Sequence, residues 1–376
     1  MNLSELARRH NRDWADRGLH RTPGTFASAQ HPVACIDGRD YVLFSSSNYL
    51  SLSAHPQVIH AASHATARFG AGSGGSRLTT GTTELHRAAE SALATFLGAE
   101  DCVLFATGYQ ANLSTIATLA ATSGDLCIFS DSLNHASIID GCRIARTDLQ
   151  VFPHGDYHSL GRMLAGRSSR DALVISDGLF SMDGDIADLP ALQQVCKEHG
   201  AWLMIDDAHA IGSLGASGKG SSELHSCQLP EILVGTASKA LGTEGGFVAC
   251  SHEIAALLRD RARSYVFSTA TSAAAPAAVL AALPLVPEQL PKLRRNIQLL
   301  TQRLGLPATS SPIIPIRVGE ETAALAAAAE LKAAGLWVPA IRFPTVARGA
   351  AILRVTMMAD HTAEHIEMLA HQLSSS

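Results

Sequence analysis

The chain has few charged residues, no long apolar run and no paired cysteines, and each shortage excludes a class of protein. Charged residues make up 17% of the 376, the formal net charge is -5, and no basic stripe appears, so nucleic acid is not expected as a main partner. The longest apolar stretches, such as residues 323–329, are too short or too rich in alanine to span a bilayer. No apolar region follows the charged residues near the N-terminus. We therefore expect neither a membrane segment nor a secretory signal.

The seven cysteines are scattered and include no C-x-x-C pair. An odd number of cysteines without paired spacing is typical of reduced, buried thiols in a cytosolic protein. We therefore expect a cytoplasmic protein, and we predict no metal site. The hydrophobic content of 47% and the length together predict a large core divided between two domains.

Helical patterns alternate with short apolar strands from about residue 84 onwards. The predicted strands are residues 101–105, 126–130, 150–152, 172–176, 202–205, 232–235 and 246–249. Helical segments such as 84–97, 109–122 and 189–199 fall between most of them. This alternation is typical of an α/β fold with a mostly parallel sheet covered on both faces.

The segments on either side of this pattern have a different organisation. Residues 2–18 predict an amphipathic helix, and residues 33–44 predict a short hairpin. Pro284, Pro287 and Pro291 follow one another closely, and we place a change of domain within residues 275–295. Beyond it, a small α+β domain is predicted from strands at 312–317, 336–341 and 351–356 and helices at 321–335 and 362–373. We expect an N-terminal segment (1–47), a large domain (48–280) and a small C-terminal domain (281–376).

Two polar strings, DDAH at residues 206–209 and TASK at residues 236–239, each follow an apolar run. A carboxylate and a lysine at neighbouring strand ends suit pyridoxal phosphate. The lysine forms a Schiff base, and the acid keeps the pyridinium nitrogen protonated. We predict these roles for Lys239 and Asp206, with Asp207 as the alternative carboxylate. A surface lysine and a helix-capping aspartate are the structural alternatives.

A phosphate site is predicted where the string TGYQAN at residues 107–112 follows a strand and begins a helix. Free N–H groups at a helix start can hold a phosphate, and Gly108 permits close approach. The hydroxyls near Lys239, Thr236 among them, suit the same group. A strand followed by glycine and a helix is also common in proteins that bind no phosphate.

Four further side chains have a functional and a structural interpretation. His135 can stack on a flat ring and His209 can contact the same ligand, or each can be structural. Ser181 can donate a hydrogen bond to a cofactor, or its segment can simply form a turn. Arg354 lies within an apolar strand, so it needs an anion. That anion is either a substrate carboxylate held by a bidentate clamp or a structural carboxylate.

Several strings together resemble those of the α-oxoamine synthases, which have the pyridoxal phosphate fold type I. They are SSNYL (46–50), GSGGS (72–76), FSMDGD (180–185), DDAH (206–209) and AIRFPTV (340–346). The resemblance runs nearly end to end. It implies a mostly parallel seven-stranded sheet with a smaller α+β C-terminal domain, and a homodimer with shared active sites.

The resemblance also implies residue roles. The catalytic residues that it implies are Lys239, His135, Asp206 and His209. The residues implied to contact the cofactor are Gly108, Tyr109, His135, Ser181, Asp206, His209, Thr236 and Lys239, and Ser268 and Thr269 are implied to reach the cofactor from a second subunit. The residues implied to contact the substrates are Arg21, Asn48, Thr345 and Arg354. His20 competes with Arg21 for the position that meets the acyl substrate.

The string at 340–346 most favours the branch of the family that serves biotin biosynthesis. The activity implied is condensation of L-alanine with pimeloyl-CoA or pimeloyl-acyl carrier protein, with release of carbon dioxide and a free thiol. A sister synthase using glycine and acetyl-CoA, or serine and a long acyl chain, is the first alternative. A plain aminotransferase and a scaffold protein that has lost the chemistry are the others.

Overall fold

A computed structural model describes residues 1–20 and 22–375. The α-helices are α1 (Leu3–Asp16), α2 (Pro56–Phe69), α3 (Glu84–Leu97), α4 (Gly108–Ser123), α5 (Ala136–Ala145), α6 (Tyr157–Ala165), α7 (Leu189–His199), α8 (Ser221–Leu224), α9 (His252–Arg261), α10 (Arg263–Val266), α11 (Ala274–Ala282), α12 (Val286–Arg303), α13 (Glu321–Ala333) and α14 (Ala363–Ser375). The strands are β1 (Val33–Ile36), β2 (Arg39–Leu43), β3 (Asp101–Phe105), β4 (Leu126–Asp131), β5 (Asp148–Phe152), β6 (Asp171–Asp177), β7 (Trp202–Asp206), β8 (Ile232–Thr236), β9 (Gly246–Cys250), β10 (Ile313–Gly319), β11 (Leu336–Trp337), β12 (Ala340–Ile341) and β13 (Ala351–Thr356).

The largest sheet of the described residues has seven strands in the order β5-β4-β6-β7-β8-β9-β3. Strand β9 runs antiparallel to both of its neighbours, and all other neighbours are parallel. Successive apolar residues of the central strands enter separate clusters, with Val174 and Leu203 in one and Leu173 and Met204 in the other. Both faces of the sheet are therefore buried, which explains why the strands read as continuous apolar runs. The predicted fold class is confirmed.

Two small sheets lie outside the large one. Strands β10, β13 and β12 form one, and the hairpin β1–β2 pairs with β11 to form the other. The single strand predicted at residues 336–341 is wrong, because Leu336 pairs with Val42 whereas Ala340 pairs with Leu353. The two strands separate near Pro339, which has no backbone N–H to donate to a neighbouring strand. The domain boundaries at residues 47 and 280 stay a prediction.

Helix α1 is present as predicted, but it buries none of its residues. Its start is a capping box in which Asn2 and Glu5 bond reciprocally, each at 2.9 Å. Leu3 is 80% exposed and Trp14 is 40% exposed, so much of the apolar face of the helix is uncovered in the described part of the chain. No helix among residues 1–20 and 22–375 is both long enough and apolar enough to cross a membrane.

Candidate active site

Four strands of the large sheet, β4, β6, β7 and β8, end side by side, and the loops after them meet the start of α4. Together they line a cavity of about 220 Å³. The predicted site residues that line it are Gly108, Tyr109, His135, Asp206, His209, Thr236 and Lys239. The carboxyl edge of a parallel sheet is where open α/β folds bind ligands.

Asp206 is a buried carboxylate at the end of β7. One oxygen accepts a hydrogen bond of 2.6 Å from the Asn112 side chain, and the other accepts one of 3.0 Å from the N–H of Ala208. The Asn112 amide also donates to the Ser137 hydroxyl at 2.9 Å. Asn112 was missed as a site residue, although it ends the TGYQAN string. These bonds fix the direction in which the carboxylate presents its charge.

Lys239 lies half-buried just beyond the end of β8. The Thr236 hydroxyl accepts from the N–H of Ser238 at 3.3 Å and donates to the carbonyl of Gly245 at 2.8 Å, which shapes the turn before the lysine. Burial lowers the pKa of Lys239 to about 8, while nearby Asp206 opposes the change. The lowered pKa leaves a fraction of this amine neutral at pH 7, far more than for an ordinary lysine.

His209 contacts Tyr49, with 2.7 Å between Nδ1 and the phenolic oxygen. Burial, followed by the positive charges of Lys239 and Arg354, lowers the pKa of His209 well below its usual value, so the ring is neutral. Burial raises the pKa of Tyr49, so it remains a phenol. Tyr49 was not predicted at the site, although it lies within the SSNYL string.

His135 caps α5, with its Nδ1 2.7 Å from the Ser137 hydroxyl. Burial lowers its pKa, Asp206 opposes this effect and Lys239 adds to it. Asp177, at the end of β6, also lines the cavity and was missed. Burial and the charge of Asp206 raise the pKa of Asp177 well above its usual range. The polar residues at this strand end are the signal that could have identified it.

The start of α4 is shaped to hold an anion. Thr107 caps the helix by accepting from the N–H of Gln110 at 3.1 Å. The N–H groups of Gly108 and Tyr109 are at the helix start, where no intrahelical partner exists. A Cβ at Gly108 would lie 3.4 Å from the Thr236 Cβ, an ordinary contact distance, so the helix start and Thr236 lie side by side. The helix dipole adds to the attraction for a phosphate.

Arg354 is buried on β13 and donates from Nε to the carbonyl of Ser181 at 2.5 Å. No carboxylate of the described residues lies within ion-pair distance of Arg354, so the structural ion pair considered from the sequence is not formed there. Its charge also lowers the pKa of Lys239 and of His209, as expected for a cation near both side chains. Ser181 contacts Arg354 through its backbone carbonyl and does not line the cavity.

The other predicted site residues lie outside this cavity, and their roles stay predictions. Asn48 donates to the Gln30 carbonyl and the Ser53 hydroxyl, so its side chain holds a local turn. Thr345 is exposed in the loop after β12. Ser268 and Thr269 follow α10, where Ser268 is half-buried and Thr269 is exposed. Arg21 lies outside the described residues.

Comparison with known proteins agrees with this geometry. Residues 39–373 match the family model "Aminotransferase class I and II". The 8-amino-7-oxononanoate synthase of Bordetella petrii is 43% identical over 95% of this chain and 93% of its own length. The chain belongs to the class I and II aminotransferase family, in its 8-amino-7-oxononanoate synthase group.

A bifunctional relative and a solved structure are also similar to this chain. The biotin biosynthesis bifunctional protein BioWF of Corynebacterium kroppenstedtii is 44% identical over 99% of this chain, which spans only 58% of that relative. A structure of SPT with a PLP internal aldimine has a TM-score of 0.93 and 30% identity, covering 100% of this chain and 98% of the other. Pyridoxal phosphate is the cofactor of this family member. The amine, carboxylate and helix N-terminus that meet in one cavity fit its aldehyde, ring nitrogen and phosphate.

Proposed function

We propose that this chain condenses L-alanine with a pimeloyl thioester to form 8-amino-7-oxononanoate, carbon dioxide and a free thiol, as a step of biotin biosynthesis. The thioester is pimeloyl-CoA or pimeloyl-acyl carrier protein. The observation that carries the proposal is the cavity shared by Lys239, Asp206 and the start of α4, in a chain 43% identical to a synthase of this name. The proposed form of the enzyme is a cytoplasmic homodimer.

Pyridoxal phosphate supplies an aldehyde for Schiff-base formation and a ring that withdraws electrons from the Cα of the amino acid. Lys239 is the residue that would hold the aldehyde, and its neutral amine removes the Cα proton. Asp206, held by Asn112, keeps the ring nitrogen protonated. Gly108, Tyr109 and Thr236 would hold the phosphate.

Arg354 orients the alanine carboxylate, since its guanidinium has no carboxylate partner among the described residues. His135 would provide a flat face for the cofactor ring, and His209 would contact the phenolic oxygen of the cofactor. Both imidazoles have lowered pKa values and are neutral, so each can donate one hydrogen bond to the thioester oxygen as negative charge develops. Such donation requires the tautomer with the proton on the nitrogen that faces the substrate.

The remaining predicted residues complete the proposed site. Ser268 and Thr269 contribute phosphate contacts from the second subunit of the homodimer. Asn48 and Thr345 contact substrate, and Arg21 or His20 meets the acyl chain. A shared site of this kind makes activity depend on dimer formation.

A thiol-release assay tests the proposal. Purified protein should be yellow, its absorbance band should shift on addition of L-alanine, and alanine with a pimeloyl thioester should release free thiol. Lys239→Ala should retain the fold and lose turnover. Full activity of Lys239→Ala would reject the assignment.

A screen of amino acids and acyl chain lengths separates this function from its alternatives. The similarity to SPT makes a sister synthase the principal alternative. Preference for serine with a long acyl thioester, or for glycine with acetyl-CoA, would establish that alternative. Amino-group transfer without thiol release would instead indicate a plain aminotransferase.

A further inference from the structure

His154 bridges two carboxylates on segments that adjoin different sides of the proposed active site. Its Nδ1 lies 3.0 Å from the nearer oxygen of Asp131, and its Nε2 lies 2.7 Å from Asp185. The ring also packs edge-on against Phe180, with 4.4 Å between the ring centroids. None of the roles assigned above uses His154, although it is the side chain that joins these two carboxylates.

Asp131 connects His154 to the His135 side of the cavity. It is buried at the end of β4, and one of its oxygens accepts from the N–H of Leu133 at 2.8 Å. Its carbonyl accepts from the N–H of Asn134 at 3.2 Å. Asp131 therefore shapes the turn that ends at His135 and is fixed relative to the sheet.

Asp185 connects His154 to the Arg354 side. Its carbonyl accepts from the N–H of Phe180 at 3.0 Å and closes the turn of residues 180–185. Within that turn, the carbonyl of Ser181 accepts from Nε of Arg354. On the opposite side, Gly184 has a φ of +68°, and a Cβ there would lie 2.3 Å from the carbonyl of Ile313. The turn is thus held between β10 and His154.

Two carboxylates that face both ring nitrogens require both nitrogens to donate, which only an imidazolium can do. Partial burial lowers the pKa of His154, but the hydrogen bonds and charges of Asp131 and Asp185 outweigh it, so that the pKa is raised. The nearby Tyr157 has its pKa raised to about 12, chiefly by burial, and is neutral. The Asp188 backbone N–H donates to the Tyr157 oxygen, and the Asp188 carboxylate adds negative charge near that phenol.

We propose that His154 is a positioning residue: as a cation it ties the turn of residues 180–185 to the end of β4 and so fixes Arg354 for the carboxylate of the amino acid substrate. The link to alanine rests on the proposed function, whereas the cationic bridge does not. The raised pKa means that the bridge is complete below the folded-state pKa and is lost as pH rises through it.

The protonation state is tested by NMR on labelled holoenzyme. The imidazole signal that disappears in His154→Gln should titrate with a midpoint above 6.5, the ordinary value for histidine. Asp185→Asn, which removes only the Nε2 partner, should lower that midpoint. A midpoint at or below 6.5 in the wild-type protein would overturn the proposal.

The positioning role is tested by alanine binding to holoenzyme, followed by the absorbance shift. In His154→Gln and in Asp185→Asn, the dissociation constant of L-alanine should rise roughly threefold to tenfold, as for a lost charged hydrogen bond that is partly exposed to solvent. The KM of the thioester should stay unchanged. In the wild-type protein alone, alanine binding should also weaken as pH passes above the His154 midpoint.

His158→Gln is the matched control, since His158 is an exposed histidine four residues away. It should leave alanine binding unchanged. Unaltered alanine binding in both bridge variants, or equal loss of alanine and thioester binding, would overturn the positioning role. If the wild-type protein releases no thiol with any substrate pair, the proposed function fails, while the NMR titration still decides the state of His154.

Discussion

At the scale of the residue, the direction of the Asp206 carboxylate depends on Asn112, which donates to it at 2.6 Å. We expect Asn112→Ala to lower kcat/KM about tenfold, because a hydrogen bond to a charged group contributes roughly 1.5–3 kcal/mol. The same variant should retain less cofactor after dialysis. Steady-state kinetics and the absorbance of the dialysed protein measure the two effects.

The double variant Asp206→Asn/Asn112→Ala is the control, because Asn112 is expected to act through its bond to Asp206. Once Asp206 has lost its charge, removing Asn112 should add little to the loss of activity. Fully additive losses would show that Asn112 acts independently of Asp206.

The lowered pKa of Lys239 predicts a pH dependence for cofactor uptake. Only the neutral amine attacks an aldehyde, so the rate at which apoenzyme binds pyridoxal phosphate should rise as pH increases through about 8 and then level off. Stopped-flow absorbance of the imine band measures this rate. Lys239→Ala should give no such band, and a wild-type rate that does not change across this pH range would contradict the prediction.

Sequence reasoning found residues whose chemistry is recognisable from residue type and position along the chain. Lys239 and Asp206 each follow an apolar strand, and the structure brings them to one cavity. Asp177 was missed although it ends an apolar strand, as Asp206 does. Asn112 and Tyr49 were missed because each acts through a neighbour that is distant in sequence. Tyr49 and His209, for example, are separated by 160 positions. Such contacts depend on the tertiary fold and leave no local pattern.

At the scale of the element, a buried ion pair anchors the segment between α2 and α3. Arg77 lies 2.8 Å from Glu90, and both side chains are almost fully buried. Arg77 also donates to the carbonyl of Leu104 on β3 at 3.0 Å. The segment pairs further with the Thr269 region through a bridge at Ser76. This ion pair therefore stabilises the surroundings of the proposed second-subunit contacts.

We expect Arg77→Met to lower the free energy of unfolding by about 3 kcal/mol, because the Glu90 carboxylate loses its buried partner. Arg87 contacts the same carboxylate at 3.3 Å, but its side chain is 58% exposed. Arg87→Met should therefore cost less than about 1 kcal/mol. Denaturant unfolding of the holoenzyme measures the loss of unfolding free energy in each variant. Equal losses in Arg77→Met and Arg87→Met would contradict the prediction that the buried ion pair stabilises the fold more than the exposed one.

The predicted strands of the large sheet were correct because their apolar runs are continuous and separated by helical periods. Strands β11 and β12 were predicted as one strand, because residues 336–341 are also a nearly continuous apolar run. Only the tertiary structure shows that the run divides between two sheets. Periodicity predicts which residues are buried, but it does not predict which strand each short strand will pair with.

At the scale of the whole molecule, an apolar surface remains uncovered beside Ser268. Phe267 is 73% exposed and Ile144 is 53% exposed. Both line a cavity of about 630 Å³ with Leu113 and Ala117 of α4. Exposed apolar side chains grouped in this way, beside polar residues such as Arg263 and Ser264, are typical of a protein interface. It adjoins a residue predicted to reach the cofactor of a second subunit, which favours the proposed homodimer.

Phe267→Glu should therefore shift the protein from dimer to monomer, because a carboxylate at a buried apolar interface is unfavourable. Cofactor retention and thiol release should fall with it, since the proposed phosphate contacts of Ser268 and Thr269 come from the second subunit. Sedimentation velocity measures the first effect, and bound cofactor after gel filtration measures the second. Leu325→Glu is the control, because Leu325 on α13 is 45% exposed and lies outside this surface. A fully dimeric Phe267→Glu with normal cofactor content would place the interface elsewhere, whereas a monomeric and active wild-type protein would reject the shared site.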